Sequence, residues 1–249
     1  MDLLRRWRED RFVRPSPSDP RVLAAIEARM WQLLPADVEG VELSPVVPLG
    51  TCAAVTPQSQ DRVVSTVRTA EVLSDSTNAL AVEAADRRRR QPAGGEVHLA
   101  AGHRMLRAQR FPAGFGSHFR LFALVSSARD TGSGTTQARL LIRHLRFWRS
   151  VLPAGAAPRL LYTVFDSPVL RERVEDTVRP AVPVTEQPER GHGRGYYVEA
   201  ALRIVAGGGE IGDGGFTTWT AQIMGDAKER CLVSCVSTER LAALGAQVP

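Results

Sequence analysis

The sequence predicts an α/β chain of the α+β kind, an antiparallel sheet with helices packed on one face, and three observations predict it. The chain opens on an amphipathic helix, then runs through strands in meanders with helices interposed and no regular β-α-β alternation. Its 249 residues, 43% of them hydrophobic, are enough for a sizeable core. The glycine run from Gly207 to Gly212 follows a strand but opens no helix, which excludes the dinucleotide-binding loop it superficially matches.

Residues 1–20 are charged and carry Pro15, Pro17 and Pro20, so they read as an N-terminal arm and leave 21–249 as the core. Residues 21–34 place Val22, Leu23, Ile26, Met30, Leu33 and Leu34 at helical spacing, after the cap candidates Ser18 and Asp19 and a first-turn Pro20. Pro35 ends that helix. The proline-punctuated segment 41–48 and the alternating segment 61–72 read as strands. The cluster Ser74 to Asn78 caps a helix that runs to Arg90. Strands over 96–106 and 119–126 then flank a loop containing Pro112, Gly114 and Gly116, the residues of a hairpin tip. A core helix follows over 137–151, with Leu140, Leu141, Leu145, Phe147 and Trp148 as its apolar stripe. Beyond it come a strand at 159–165, a helix at 167–178 begun by Ser167-Pro168, strands at 196–206 and 231–237, and a helix start at 239–244.

Composition excludes several functions. No stretch of about 18 uncharged apolar residues is present, and charge interrupts the first ten residues before a signal-peptide core could form, so a cytoplasmic protein with no membrane partner is expected. Cys52, Cys231 and Cys235 are too few for a disulfide framework, and the C-x-x-x-C pair has no second pair to close a zinc site. The formal charge is +5, yet Lys228 is the single lysine, so a GxxxxGK[ST] phosphate loop is ruled out and any nucleotide site must use arginine or backbone amides. The run Arg87-Arg88-Arg89-Arg90 reads as a solvated helix C-terminus favoured by the macrodipole, with RNA contact as the alternative.

The chemistry-bearing patterns come in a fixed order. Arg107 ends one strand and Phe119 begins the next, so a guanidinium for phosphate and a ring for a purine can share a cleft. Arg107, the loop and Phe119 resemble motif 2 of the class II aminoacyl-tRNA synthetases. The segment from Cys231 to Leu241 resembles motif 3, a buried strand running into a helix at Glu239-Arg240-Leu241. The stretch from Arg190 to Tyr197 is similar to the Arg-Gly-x-x-Tyr-Tyr signature of the histidyl type, with the turn Gly214-Gly215-Phe216 after it. Asp75 stands where that family has a carboxylate for the substrate amino group, and 21–48 fits motif 1, the dimer element.

The resemblance covers 21–245, is closest to the histidyl type, and implies an antiparallel six-stranded sheet flanked by helices. It implies ATP and Mg²⁺ as cofactors, Arg107 on the α-phosphate, Phe119 on adenine, Arg240 on the γ-phosphate and Gln109 in the place of a nucleotide-site acid. Arg190 or Arg194 would join Arg107 in catalysis, Asp75, Tyr196 and Tyr197 would line the pocket of a small acid, and the chain would be a homodimer. The sequence departs from the family at Gln109, at Val233 and Ser237 where motif 3 has glycines, and at Phe216, Thr217 and Thr218 where the histidine-specific turn has Arg, Tyr and Asp. Val233 therefore puts a side chain where the nucleotide would need bare backbone. The chain stops after motif 3, where a histidyl enzyme continues into an anticodon-binding domain, so ordinary tRNA charging is not expected.

Two readings follow from the resemblance. One is an enzyme that activates a small carboxylic acid, an amino acid, as its acyl-adenylate and passes it to a non-tRNA or atypical acceptor, a tRNA or carrier. The other is an inactive synthetase-like regulatory or binding protein. RNA binding through the arginine runs is a third. His103, His118 and His192 are candidate catalytic groups on loops or strand ends, where solvated histidines are also common.

Overall fold

A computed structural model of the chain describes residues 3–56, 59–66, 69–91, 95–112, 116–190 and 193–245. In chain order the helices are α1 (Leu3–Glu9), α2 (Pro20–Leu33), α3 (Thr51–Val55), α4 (Ser76–Arg90), α5 (Thr135–Val151), α6 (Pro168–Arg173), α7 (Arg179–Ala181), α8 (Trp219–Met224) and α9 (Thr238–Ala243). The strands are β1 (Glu39–Gly40), β2 (Val46–Pro48), β3 (Ala70–Val72), β4 (Glu96–Leu106), β5 (His118–Arg129), β6 (Arg159–Val164), β7 (Thr185–Glu186), β8 (Val198–Ala206), β9 (Gly209–Thr217) and β10 (Glu229–Ser237).

Among the described residues the main sheet has eight strands, in the order β1-β4-β5-β10-β9-β8-β6-β7, rather than six. Its six central strands are antiparallel, and the difference lies at the edges, where β1 and β7 pair parallel to β4 and β6 over two residues each. Pairs that short have no sequence period, because the edge of the sheet and not the local residues makes them extended. The expected strand 41–48 accordingly divides. Its start follows β1, with Val41 N donating to Ala100 O at 2.8 Å, and its end is β2, which pairs with β3 in a separate ribbon. Among the described residues of the expected strand 61–72, Ala70–Val72 forms a strand, Ser65 makes an isolated antiparallel bridge to Glu71, and Gln60–Arg62 forms a 3-10 turn.

Helices cover both faces rather than one. Alternation along β5 and β10 sends Phe122, Leu124, Leu232 and Val236 to a core shared with α2, α5 and α9. Ala123, Val125, Cys231 and Val233 go to a second core under α4 and Trp219 of α8. The α2 helix starts where Asp19 caps it, Oδ1 accepting from Arg21 N at 2.9 Å, and it is locked to β5 by a fork in which Arg120 Nε and Nη2 each reach a Glu27 oxygen at 2.7 Å. Ser167 caps α6, which runs on through a π turn over Val174–Val178 into α7.

The arginine run at the end of α4 is solvated only in part, with Arg89 and Arg90 exposed and Arg88 buried. Arg88 is buried against Glu229, Arg87 bonds Glu83 and Glu39, Arg89 bonds Ile223 O, and Arg90 pairs with Asp86. The three cysteines are free thiols. No described helix is long and apolar enough to cross a membrane.

Candidate functional site

The strands β4 and β5 pair from Glu96 opposite Ala128 to Leu106 opposite His118, so Arg107 and Ser117 finish the ladder, Arg107 N donating to Ser117 O at 2.8 Å. That register sets Arg107 and Phe119 at one end of the sheet, the guanidinium carbon 5.1 Å from the ring centroid. Arg107 Nε donates to Ser74 O at 2.8 Å and Nη2 to Asp75 Oδ2 at 3.0 Å. Asp75 stands there because it caps α4, its Oδ1 accepting from Thr77 N at 3.0 Å and Thr77 Oγ1 at 2.8 Å. One carboxylate thus starts a helix with one oxygen and holds the arginine with the other.

The floor beside this pair is built by β10 and β9. Cys235 lies in register between Ala123 of β5 and Asp213 of β9. Burial pushes its thiol up, and Asp75 and Asp213 add to the shift. Burial also raises the Asp213 carboxyl, opposed by the Arg190 guanidinium. Arg190 itself is almost wholly buried: Nη1 donates to Leu202 O at 2.8 Å, Nη2 pairs with Asp213, and the guanidinium sits 5.5 Å from the Tyr197 ring centroid. Tyr197 Oη donates to Asp213 Oδ2 at 3.3 Å. The ring can lie against β9 only because residue 215 is glycine, since a Cβ there would come within 2.6 Å of ring carbons. Tyr196 meets Tyr197 and Trp219 edge to face, with centroids 4.8 and 5.7 Å apart. Burial raises both tyrosine hydroxyls well above their ordinary range.

Arg107, Phe119 and Asp75 are therefore brought together, and Arg190, Tyr196 and Tyr197 gather on the far side of Cys235. Other expected residues go elsewhere. Arg194 is exposed, pairing with Asp166 at 2.9 Å over the Phe165 ring, in an open cleft at the end of β6. Arg240 Nη1 donates to Glu210 O at 2.9 Å, which holds it beside the start of β9. Gln109 has its backbone carbonyl bound by Arg11 Nη1 at 2.8 Å. His118 lies between Arg104 and the Arg14 carbonyl, and burial lowers His103. His192 lies outside the described residues.

Val233 pairs with Val125, six positions along β5 from Phe119, a separation of roughly 20 Å at about 3.4 Å per residue. It is buried among Leu80, Ala81 and Trp219. Its side chain thus fills the floor at the Tyr196 end of the cleft and leaves the Phe119 end, where Ser237 pairs with Leu121, untouched. Sequence reasoning missed Asp213, which sits in a run of glycines, and passed over Cys235 as a buried thiol. The signal for both was the strand register, which the sequence does not carry.

No family model and no curated protein matches the sequence. Solved structures do resemble the fold. Histidyl-tRNA synthetase from S. aureus superposes with a TM-score of 0.70 at 15% identity, over 92% of this chain and 67% of that one. A protein described as an ATP phosphoribosyltransferase regulatory subunit/histidyl-tRNA synthetase, from Bacillus halodurans, gives 0.67 at 10% identity, over 94% and 83%. The pyrrolysyl-tRNA synthetase PylSc from Desulfitobacterium hafniense gives 0.61 at 12%, over 97% and 73%. Sheet order, register and these likenesses agree that this chain has the catalytic-core fold of the class II aminoacyl-tRNA synthetases.

Proposed function

We propose that the chain binds a small carboxylic acid carrying an amino group at the Arg107–Asp75 pair, and activates it with ATP as its acyl-adenylate for an atypical acceptor, a tRNA or carrier. The observation that carries this reading is Arg107 held over Phe119 and 3.0 Å from Asp75. A zwitterion entering there exchanges partners with the pair. Its ammonium takes Asp75 and its carboxylate, or the phosphate it attacks, takes Arg107, so each charge keeps a counter-ion. Phe119 offers its face to adenine. Arg107 neutralises charge that grows at the α-phosphate as the carboxylate oxygen attacks and pyrophosphate leaves. Tyr196, Trp219 and Val233 fill the opposite end, which favours a small acid.

The residues present do not fit a Mg²⁺ ion held by protein carboxylates. Gln109 is an amide, and Glu239 is engaged by Arg104 at 3.1 Å and Ser16 at 3.0 Å. A second reading, an acid-binding regulatory protein without the chemistry, draws support from that donor set and from an Arg107 already satisfied by Asp75. Pyrophosphate exchange screened across amino acids, with calorimetry on the same compounds, separates the two. Exchange with any acid supports activation; binding without exchange supports regulation; neither in any acid rejects both.

The reading includes a cytoplasmic homodimer formed through α2 and the β2 ribbon, where Val22, Trp31, Val46 and Leu49 leave over a third of their surface exposed. Light scattering that returns a monomer at micromolar concentration rejects that interface.

A further inference from the structure

The segment after α1 is bonded to the nucleotide end of the cleft through several side chains. Arg11 Nη1 donates to Gln109 O at 2.8 Å and to Ser117 Oγ at 2.9 Å, and Nη2 donates to Ala108 O. Its guanidinium is 4.1 Å from the Phe12 ring centroid. Three residues on, His118 Nε2 donates to Arg14 O at 2.7 Å while Nδ1 accepts from Arg104 Nη1 at 2.9 Å. Arg104 reaches Glu239 of α9 at 3.1 Å, and Ser16 Oγ donates to the same carboxylate at 3.0 Å. A segment with no sheet pairing of its own therefore spans the end of β4, the start of β5 and the head of α9.

The geometry of Arg11 is specific. Ala108 and Gln109 follow Arg107 directly, and Ser117 stands two residues before Phe119. One planar guanidinium thus gathers both arms of the connection at the point where the two nucleotide-facing side chains diverge. A planar fork can bridge acceptors on two strands at once, and a lysine ammonium on a flexible stem cannot hold them at a set spacing.

We propose that Arg11 is a positioning residue for the nucleotide: by closing the neck between β4 and β5 it sets Arg107 and Phe119 at the separation a phosphate and an adenine require. This inference rests on the nucleotide reading above and adds to it a residue from outside the synthetase-like motifs. Arg11 acts through the Ala108 and Gln109 carbonyls and the Ser117 hydroxyl that it holds.

The test uses the full chain with Arg11→Ala and Arg11→Lys. Expected in both is a rise of about tenfold in the dissociation constant or KM for ATP, with kcat lowered as well because Arg107 also acts as the carboxylate attacks, and with affinity for the acid changed less than affinity for ATP. Amide hydrogen exchange at 107–112 speeds up in both variants, while the α5 amides stay protected. Full rescue by lysine would mean that charge and not the fork matters, and it overturns the inference. So does ATP affinity within twofold of wild type in Arg11→Ala, or a parallel loss of ATP and acid affinity, which marks a general defect of folding. A wild type silent towards ATP sinks the proposed function together with this role. A wild type that binds ATP beside an unaffected Arg11→Ala sinks this role alone.

Discussion

Arg88 Nη2 lies 2.6 Å from Glu229 Oε1, and both side chains are out of solvent, so the pair ties the last turn of α4 to the first residue of β10. Ser127 Oγ also reaches the carboxylate, at 3.3 Å. Arg88→Ala leaves a buried carboxylate without its counter-ion and should cost about 3–5 kcal/mol in denaturant unfolding. Arg90→Ala, from the same run but solvent-exposed, should stay within about 0.5 kcal/mol. Equal effects at the two positions would show that the burial of Arg88 does not matter.

Asp75→Asn separates the two duties of that side chain. Asparagine caps a helix about as well as aspartate, so thermal stability should move little, while the charge that faces Arg107 and would receive an ammonium is gone. Affinity for the acid should fall by about 2 kcal/mol by calorimetry. Unchanged affinity places the amino group elsewhere.

Stability should depend on pH through buried imidazoles. Burial, with Arg143 nearby, lowers His98 to about 4, and burial holds His144 well below its ordinary value. Asp37 opposes the shift at His98, and Glu96 lies 3.2 Å from its Nε2. His98 Nδ1 is 2.8 Å from Ser126 Oγ, which is 2.9 Å from His144 Nε2. The folded pKa is below the unfolded one, so the unfolded chain binds more protons. His98 therefore adds stability that is complete above about pH 6.5 and drains away as the pH falls towards 4, about 3 kcal/mol in all. Urea melts at pH 7 and pH 5 should show the loss, and His98→Asn should flatten it. A slope unchanged in that variant assigns the effect to other groups.

Val233→Gly tests what the strand register implies. Removing a buried side chain from mid-strand should lower stability by roughly 1 kcal/mol or more. It should also admit a larger acid at the Tyr196 end while ATP affinity, which the proposed function assigns to the Phe119 end, stays the same. A gain in ATP affinity would mean that Val233 obstructs the nucleotide after all.

Much of the fold was legible in local chemistry. Asp19, Asp75 and Ser167 announce helix starts because a side-chain oxygen meets orphan amides, and α5 shows its buried face in its own spacing. The strand β4 was read with the bounds it has, β5 was read one residue short at its start and three at its end, and the meeting of the Arg107 and Phe119 side chains could be read directly. The strand β9 could not. Its glycines argue against a strand by propensity, and at Gly212, Gly214 and Gly215 the neighbouring chain or the Tyr197 ring approaches too closely for a Cβ.

What the sequence determined by itself, then, was the capped and periodic helices and the long strand β4, the order of the motifs and the absence of a phosphate loop, since caps, periodicity and residue type act over a few positions. The tertiary structure decided which charge meets which. Arg88 is buried, Arg107 meets Asp75, Arg190 turns to Asp213 rather than to the phosphate end, and Arg11 crosses to Gln109 and Ser117. Each of these partners is separated by 20 or more residues in the chain, and an ion pair depends on distance and burial in space, which register and packing set and local spacing does not.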